Sequence, residues 1–405
     1  MYQVDAQHSG RSPYAGPRQA NLRRTFQMPA DPAPNGGPGR VDVQHSSAIG
    51  PDGTIYIHNF FSSLFALTDP GSGASLTLKW RFDAPGMAAI HASPALAHDG
   101  SVLQTFAAGF GRPDTGGALF AVRAPASGTT AAAAWKVDLG AGQGTSSPIV
   151  GPDGTIYAVS GAGKLFAVGP GGAVKWTAQT GPILHISPGL AGDGTVYVPS
   201  YDGKLYAVAP PSGGGQQGSV RWTFDFGQHL GPTPFPSVSG RFGAGGQGGV
   251  GSSASPAIGP DGTVHIGANN SNFYAISPDG QLRWLFEAER ELAGIWSTAA
   301  LSADGRSAYF GANKGGIYAL DTSTGKQRWR FNIYGSVYSS PGLDAEGVLY
   351  TGSTVGHIFA LDSASGQPVF DYNAGQEVWS DPSLRPDGSL VMADRKGRVM
   401  LLAGQ

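Results

Sequence analysis

A chain of 405 residues with 13% charged residues and a net charge of −2 has no concentrated basic field, which excludes nucleic acid and anionic membrane surfaces as expected partners. The absence of cysteine excludes disulfides, thiolate zinc sites and thiol catalysis. No apolar run reaches the roughly 18 residues that span a bilayer, and Met1-Tyr2-Gln3-Val4-Asp5 does not read as a leader, so a periplasmic or secreted protein with its leader trimmed is the expectation that the low charge and the Gly, Ser and Thr content suit.

In chain order, the first strand-like segment is 22–26, Leu22-Arg23-Arg24-Thr25-Phe26. From residue 45 a four-strand unit begins, and it recurs. Its clearest copy reads Ser146-Ser147-Pro148-Ile149-Val150-Gly151-Pro152-Asp153-Gly154-Thr155-Ile156-Tyr157-Ala158, then Gly163-Lys164-Leu165-Phe166-Ala167-Val168, then Val174-Lys175-Trp176. Short apolar stretches bounded by Gly, Asp and Pro read as strands and tight turns. The Asp-Gly step supplies the positive φ that a hairpin needs.

That step ends at Gly53, Gly100, Gly154, Gly194, Gly262, Gly305 and Gly388, with Glu346-Gly347 in the seventh place. Eight turns mark eight units: 45–82, 91–137, 145–177, 185–224, 253–286, 296–331, 338–370 and 379–402, with an insertion at 225–252. The outer strands carry Trp80, Trp135, Trp176, Trp222, Trp284 and Trp329, with Phe370 in the seventh unit. The eighth unit lacks its fourth strand, which 22–26 supplies by its match to Leu78-Lys79-Trp80-Arg81-Phe82. The fold class expected is all-β: one eight-bladed β-propeller of four-stranded antiparallel blades, the last closed by the N-terminal strand, which removes two open edges.

The stretch Ala319-Leu320-Asp321-Thr322-Ser323-Thr324-Gly325-Lys326-Gln327-Arg328-Trp329 resembles the tryptophan-docking motif of quinoprotein alcohol dehydrogenases. The repeats are also similar to the cofactor-free relatives of that pyrroloquinoline-quinone-like (PQQ-like) family, including the propeller lipoprotein of bacterial outer-membrane assembly. The resemblance implies a central funnel, and in the enzymes a quinone held there under a vicinal disulfide beside calcium. This chain has no cysteine pair and no matching calcium ligands, so no PQQ and no other cofactor is expected.

In the innermost strand, the position three before the Pro of the Ser-Ser-Pro run, or before Ala48 and Ala299 that stand in its place in units one and six, reads His45, His91, Thr145, His185, Ser253, Trp296, Tyr338 and Trp379. Propeller topology sets this register at the mouth of the axial channel, where rings bind a ligand or simply plug the channel. Imidazoles offer adjustable hydrogen bonds and aromatic faces offer stacking area. The ligand-binding candidates are therefore His45, His91, His185, Trp296, Tyr338 and Trp379, joined by His58 and Asn270 from loops on the same face. Asp381 breaks the Ser-Ser-Pro pattern and is suited to orient an imidazole or hold a cationic ligand.

Three functions follow. The first is a propeller, expected to be a monomer, that binds a small aromatic or saccharide ligand. The second is a lyase, hydrolase or cyclase in which His45, His91 or His185 is the acid or base and Tyr338 donates a proton. The third is a scaffold whose loop face docks a protein while the channel stays inert. A three-histidine metal site from His45, His91 and His185 is the sharpest variant, and it strains the tetrahedral geometry that zinc prefers.

Overall fold

In the computed structural model of the chain, the described residues are 5–404 without 6, 31–40, 60–61, 85–86, 89–91, 109–115, 141–145, 184–185, 230–250, 289–293 and 314. Strands are lettered A to D from the axis outward. Blade 3 shows the unit: A is Ile149–Val150, B Ile156–Val159, C Lys164–Val168 and D Val174–Gln179, all antiparallel neighbours. The same order recurs in eight sheets, blade 2 adding a short pairing of Met87–Ala88 against Val102–Ala108. Each A–B turn glycine from Gly53 to Gly388 has φ between +70° and +84°, a backbone state that residues with a Cβ avoid.

The C strands read as unbroken apolar runs because both of their faces are covered. Leu165 and Ala167 of blade 3 enter one apolar cluster with blade 4, while Phe166 and Val168 enter another with blade 2. Among the described residues there are eight such clusters, one at each blade–blade interface. The core is thus distributed between the blades, and the axis is left to other chemistry.

At the rim, the outer tryptophans dock on the next blade. Trp135, Trp222, Trp284 and Trp329 each donate the indole N–H to a carbonyl there, at 2.7–3.0 Å to Pro170, Pro278, Thr322 and Ser363. Gly172, Gly280, Gly325 and Gly366 lie so close to these rings that a Cβ would come within 2.6–2.9 Å of an indole atom. The closing strand Asn21–Gln27 pairs with Arg398–Ala403 and completes blade 8, as the repeat arithmetic requires. Arg24 lies opposite Leu401 as Trp80 lies opposite Ala66, so it takes the tryptophan's place. It docks instead as a buried ion pair on Asp69 of blade 1, at 2.8 Å.

Before that strand, the chain threads along the A strands near their A–B turns. Ile258, Leu301 and Leu343, equivalent residues of blades 5, 6 and 7, donate their backbone N–H to the carbonyls of Gln7, Ser9 and Gly10 at 2.7–2.9 Å. Gln7 also reaches the Leu190 carbonyl of blade 4 at 3.1 Å. A Cβ on Gly10 would meet the Ala300 Cβ at 2.8 Å. This segment lies along blades 4 to 7 on one side of the axis, and Ala15 and Gly16 continue onto blade 8.

Strand B carries Tyr56, Tyr157, Tyr197, Tyr309 and Tyr350 at one register, and blade 5 has His265 instead. Its ring is buried beside Trp284, its Nδ1 has no hydrogen-bond partner, and burial lowers its pKa to about 4. The unfolded chain therefore takes up a proton first as pH falls through 6.5, and stability drops between 6.5 and 4. His265→Tyr is expected to be more stabilising at pH 5 than at pH 8 by about 2 kcal/mol, measurable as the difference between urea midpoints at the two pH values.

Candidate functional site

The D–A connections and B–C loops share one face by topology, and strand A starts there. Counting from strand pairing corrects the register in blade 1. Ala48 pairs with Tyr56 as Ile149 pairs with Tyr157, so Ser47 is the equivalent of Pro148 and the mouth position belongs to Gln44. His45 instead takes the place of Ser146. It is 4% exposed and stacks on His58 with ring centroids 3.8 Å apart.

His58 is buried completely, its ring nitrogens facing the carbonyls of Asn59 and of Ala92 in blade 2, to one of which the neutral ring donates its single N–H. Burial lowers its pKa to about 4, leaving it neutral. The two imidazoles therefore belong to the joint between blades 1 and 2, because a one-residue step along a strand turns a side chain to the other face. Asn270 is also spent internally: its amide donates to Tyr274 Oη at 2.6 Å and its Oδ1 accepts from the Asn272 N–H at 3.1 Å, shaping the B–C loop of blade 5. His91, His185 and Thr145 lie outside the described residues. The three-histidine metal reading loses His45, and among the described residues no group of three His, Asp or Glu is placed to hold an ion.

Three of the expected residues do converge. Trp296, Tyr338 and Trp379, from blades 6, 7 and 8, form a run of half-buried rings. Trp296 stacks on Tyr338 at 5.0 Å and 22°, and Tyr338 meets Trp379 edge-on at 4.6 Å. Arg395 lies over Trp379, its guanidinium carbon 4.1 Å from the ring centroid. The same guanidinium clamps Asp42 by two bonds of 2.7 and 2.9 Å, and Gln44 donates to Asp42 at 2.6 Å.

An aromatic and polar arc thus runs over four blades. On its other side Ser253 donates to Asn269 at 3.0 Å and bonds Tyr201 at 3.1 Å. Trp296 Nε1 is buried, with no acceptor among the described residues. Gln44, Asp42 and Arg395 were not foreseen; counting back from the turn at Gly53 identifies Gln44, whereas Asp42 and Arg395 lie outside any repeat signal.

Below the mouth, the next register builds a belt around the axis. Backbone N–H groups of Ser46, Ser93, Ser147, Ser187, Ser255 and Thr298 each donate to the hydroxyl of the following blade, namely Ser93, Ser147, Ser187, Ser255, Thr298 and Ser340, at 2.8–3.1 Å. The belt ends on a carboxylate: the Ser340 N–H donates to Asp381 Oδ1 at 2.5 Å, and the Ser46 hydroxyl donates to Asp381 Oδ2 at 2.7 Å. Burial pushes the Asp381 pKa up to about 6, against the lowering effect of those two bonds.

The chain resembles solved propellers at low identity, which speaks to the fold. BamB from Moraxella catarrhalis is 16% identical with a TM-score of 0.60, covering 94% of this chain and 97% of that one. Quinohemoprotein alcohol dehydrogenase from Comamonas testosteroni is 14% identical at 0.71, over 100% and 80%. Saccharomyces cerevisiae Sqt1 is 14% identical at 0.71, over 96% and 100%. No curated protein matches the chain in sequence. A family model does: that of the PQQ-like repeat family described as outer membrane protein assembly factor BamB matches residues 117–285, 187–337 and 313–403, more than half of the chain, and the chain belongs to that family.

Proposed function

We propose that this propeller is a binding protein whose mouth holds the face of a sugar or of a small planar ligand on Trp296, Tyr338 and Trp379. The observation that carries the reading is the contiguous run of half-buried rings of Trp296, Tyr338 and Trp379. Stacking faces with convergent polar groups suit such ligands, and Arg395, Asp42 and Gln44 supply the polar edge. A calcium-held quinone does not fit. No acidic or imidazole trio among the described residues stands by to ligate the metal. The extracytoplasmic setting suggested by the composition agrees with the family's description as an outer-membrane assembly factor.

The enzyme reading has little to work with. Tyr338 touches two indoles, His45 is buried in the joint between blades 1 and 2, and the other candidate bases His91 and His185 lie outside the described residues. The family match favours a second reading, a protein docked across the same mouth face, with the arc as its anchor. Titrating neutral oligosaccharides and planar aromatic compounds against tryptophan fluorescence tests the first reading. Saturable quenching is expected, weakened at least about tenfold by Tyr338→Ala, a loss of about 1.4 kcal/mol. Absence of saturation with every compound, together with capture of a protein partner that Tyr338→Ala abolishes, would select the docking reading.

A further inference from the structure

A second cavity, on the other side of the belt, is separate from the mouth. It has a volume of about 310 Å³ and lies between the N-terminal segment at Gly10–Tyr14 and blades 7, 8 and 1, at the small end of the range for ligand cavities. Its rim residues Pro13 and Pro51 are exposed, so solutes reach it, and its walls include Ile49, Leu343 and Leu384. Asp381 lies in its lining, 9% exposed.

Two observations set this carboxylate apart. The belt works with a hydroxyl at the other blades, so the hydrogen bonds do not require an acid there. Among the described residues Asp381 also has no cationic partner: it accepts from a backbone N–H and a serine hydroxyl. Arg18, which reaches the cavity-lining Tyr350 hydroxyl at 2.9 Å, is spent on Asp344 and Glu346 at 2.6 Å each. A buried carboxylate without a counter-charge is costly and is ordinarily paired. The cavity beside it is large enough for a small cation.

We infer that the axial cavity beside Asp381 is a binding site for a small primary ammonium on an apolar stem, the ammonium bonding the carboxylate and nearby hydroxyls such as Ser47 and Ser383 while the stem lies on Ile49, Leu343 and Leu384. A compact ammonium carries three donors, which match these acceptors. The site differs from the mouth in face, residues and ligand charge, and does not depend on the mouth reading.

Butylamine and its neutral counterpart 1-butanol, titrated at pH 8 and followed by calorimetry or by chemical shifts of the protein, test the assignment. The amine is expected to bind at least about tenfold more tightly than the alcohol. Asp381→Ser, which restores the hydroxyl of the repeat, and Asp381→Asn, which keeps the shape, are both expected to erase that preference while the melting curve shows an intact fold. Equal affinities of amine and alcohol for the unaltered protein would overturn the site, as would an amine preference that survives both substitutions. Tyr338→Ala is expected to leave butylamine affinity unchanged, so failure at the mouth and failure here are told apart.

Discussion

Arg24→Ala is expected to remove about 3 kcal/mol of stability and to loosen the closing strand, making the N-terminal segment the first site of proteolysis. The cause is the joint that shuts the ring. Blades 2, 4, 5 and 6 are locked to their successors by an indole N–H on a carbonyl. The joint from blade 8 to blade 1 uses Arg24 on Asp69 with both side chains 5% exposed. Taking one partner from a buried ion pair strands the other charge, which costs roughly 3–5 kcal/mol. Arg23 and Arg385, each 3.6 Å from Asp69, offset part of that cost and place the effect at the lower end. The double substitution Arg24→Met with Asp69→Ala is expected to regain most of the loss, since an apolar pair avoids the desolvation of both ions. Urea midpoints for Arg24→Met, for Asp69→Ala and for the double variant measure the coupling; additive losses would show that the pair does not lock the joint.

Asp381→Asn is expected to stabilise the protein by about 2–3 kcal/mol at pH 8 and by almost nothing at pH 3.5. The folded-state pKa of Asp381, about 6, is above the ordinary value of 3.8. The folded protein thus holds the proton more tightly than the unfolded chain. Below pH 3.8 both states carry it and no penalty exists. Between 3.8 and 6 the unfolded state ionises first, and stability falls as pH rises. Above 6 the full cost persists, about 3 kcal/mol for a shift of this size. Asparagine mimics the protonated form and removes the dependence. Denaturation across pH 3.5–8 gives the two profiles, and parallel profiles would mean that the carboxylate is not held in the buried state described. The buried His8, His58 and His265, each lowered to about 4 by burial, act with the opposite sign, so the variants are compared at each pH and not across it.

The architecture was legible because folding writes it eight times. Every blade needs a positive φ at its A–B turn and apolar side chains on both faces of strand C, and these demands recur as Asp-Gly and as runs such as Leu165-Phe166-Ala167-Val168. Even the displaced fourth strand could be read, since Leu22 and Phe26 keep the spacing of Leu78 and Phe82. The site was legible only in part. Trp296, Tyr338 and Trp379 were found from their register, but blade 1 has no proline to anchor the count, and anchoring on Ala48 put His45 one residue out of place. In a strand that single step exchanges axis for interface.

Asp381 was visible as a break in Ser-Ser-Pro, although its position in a hydroxyl belt was not. The belt pairs residues 40 to 68 apart, and its regularity lies in the backbone N–H donors. The N-terminal segment left almost no trace for the same reason. Its carbonyls, not its side chains, meet Ile258, Leu301 and Leu343, and a backbone partnership imposes no pattern on residue type.

Everything proposed for the mouth assumes that its rings are a surface offered to a ligand and not filler that holds blades 6, 7 and 8 together. Thermal melting of Tyr338→Ala and Trp379→Ala separates the two, because filler deleted from a packed interior costs several kcal/mol whereas exposed rings cost little. Melting temperatures within about 2 °C of the unaltered protein, accompanied by loss of ligand-induced quenching, are the expected result. A fall of about 8 °C or more in both variants, with no ligand response in the parent, would mean that the arc is packing.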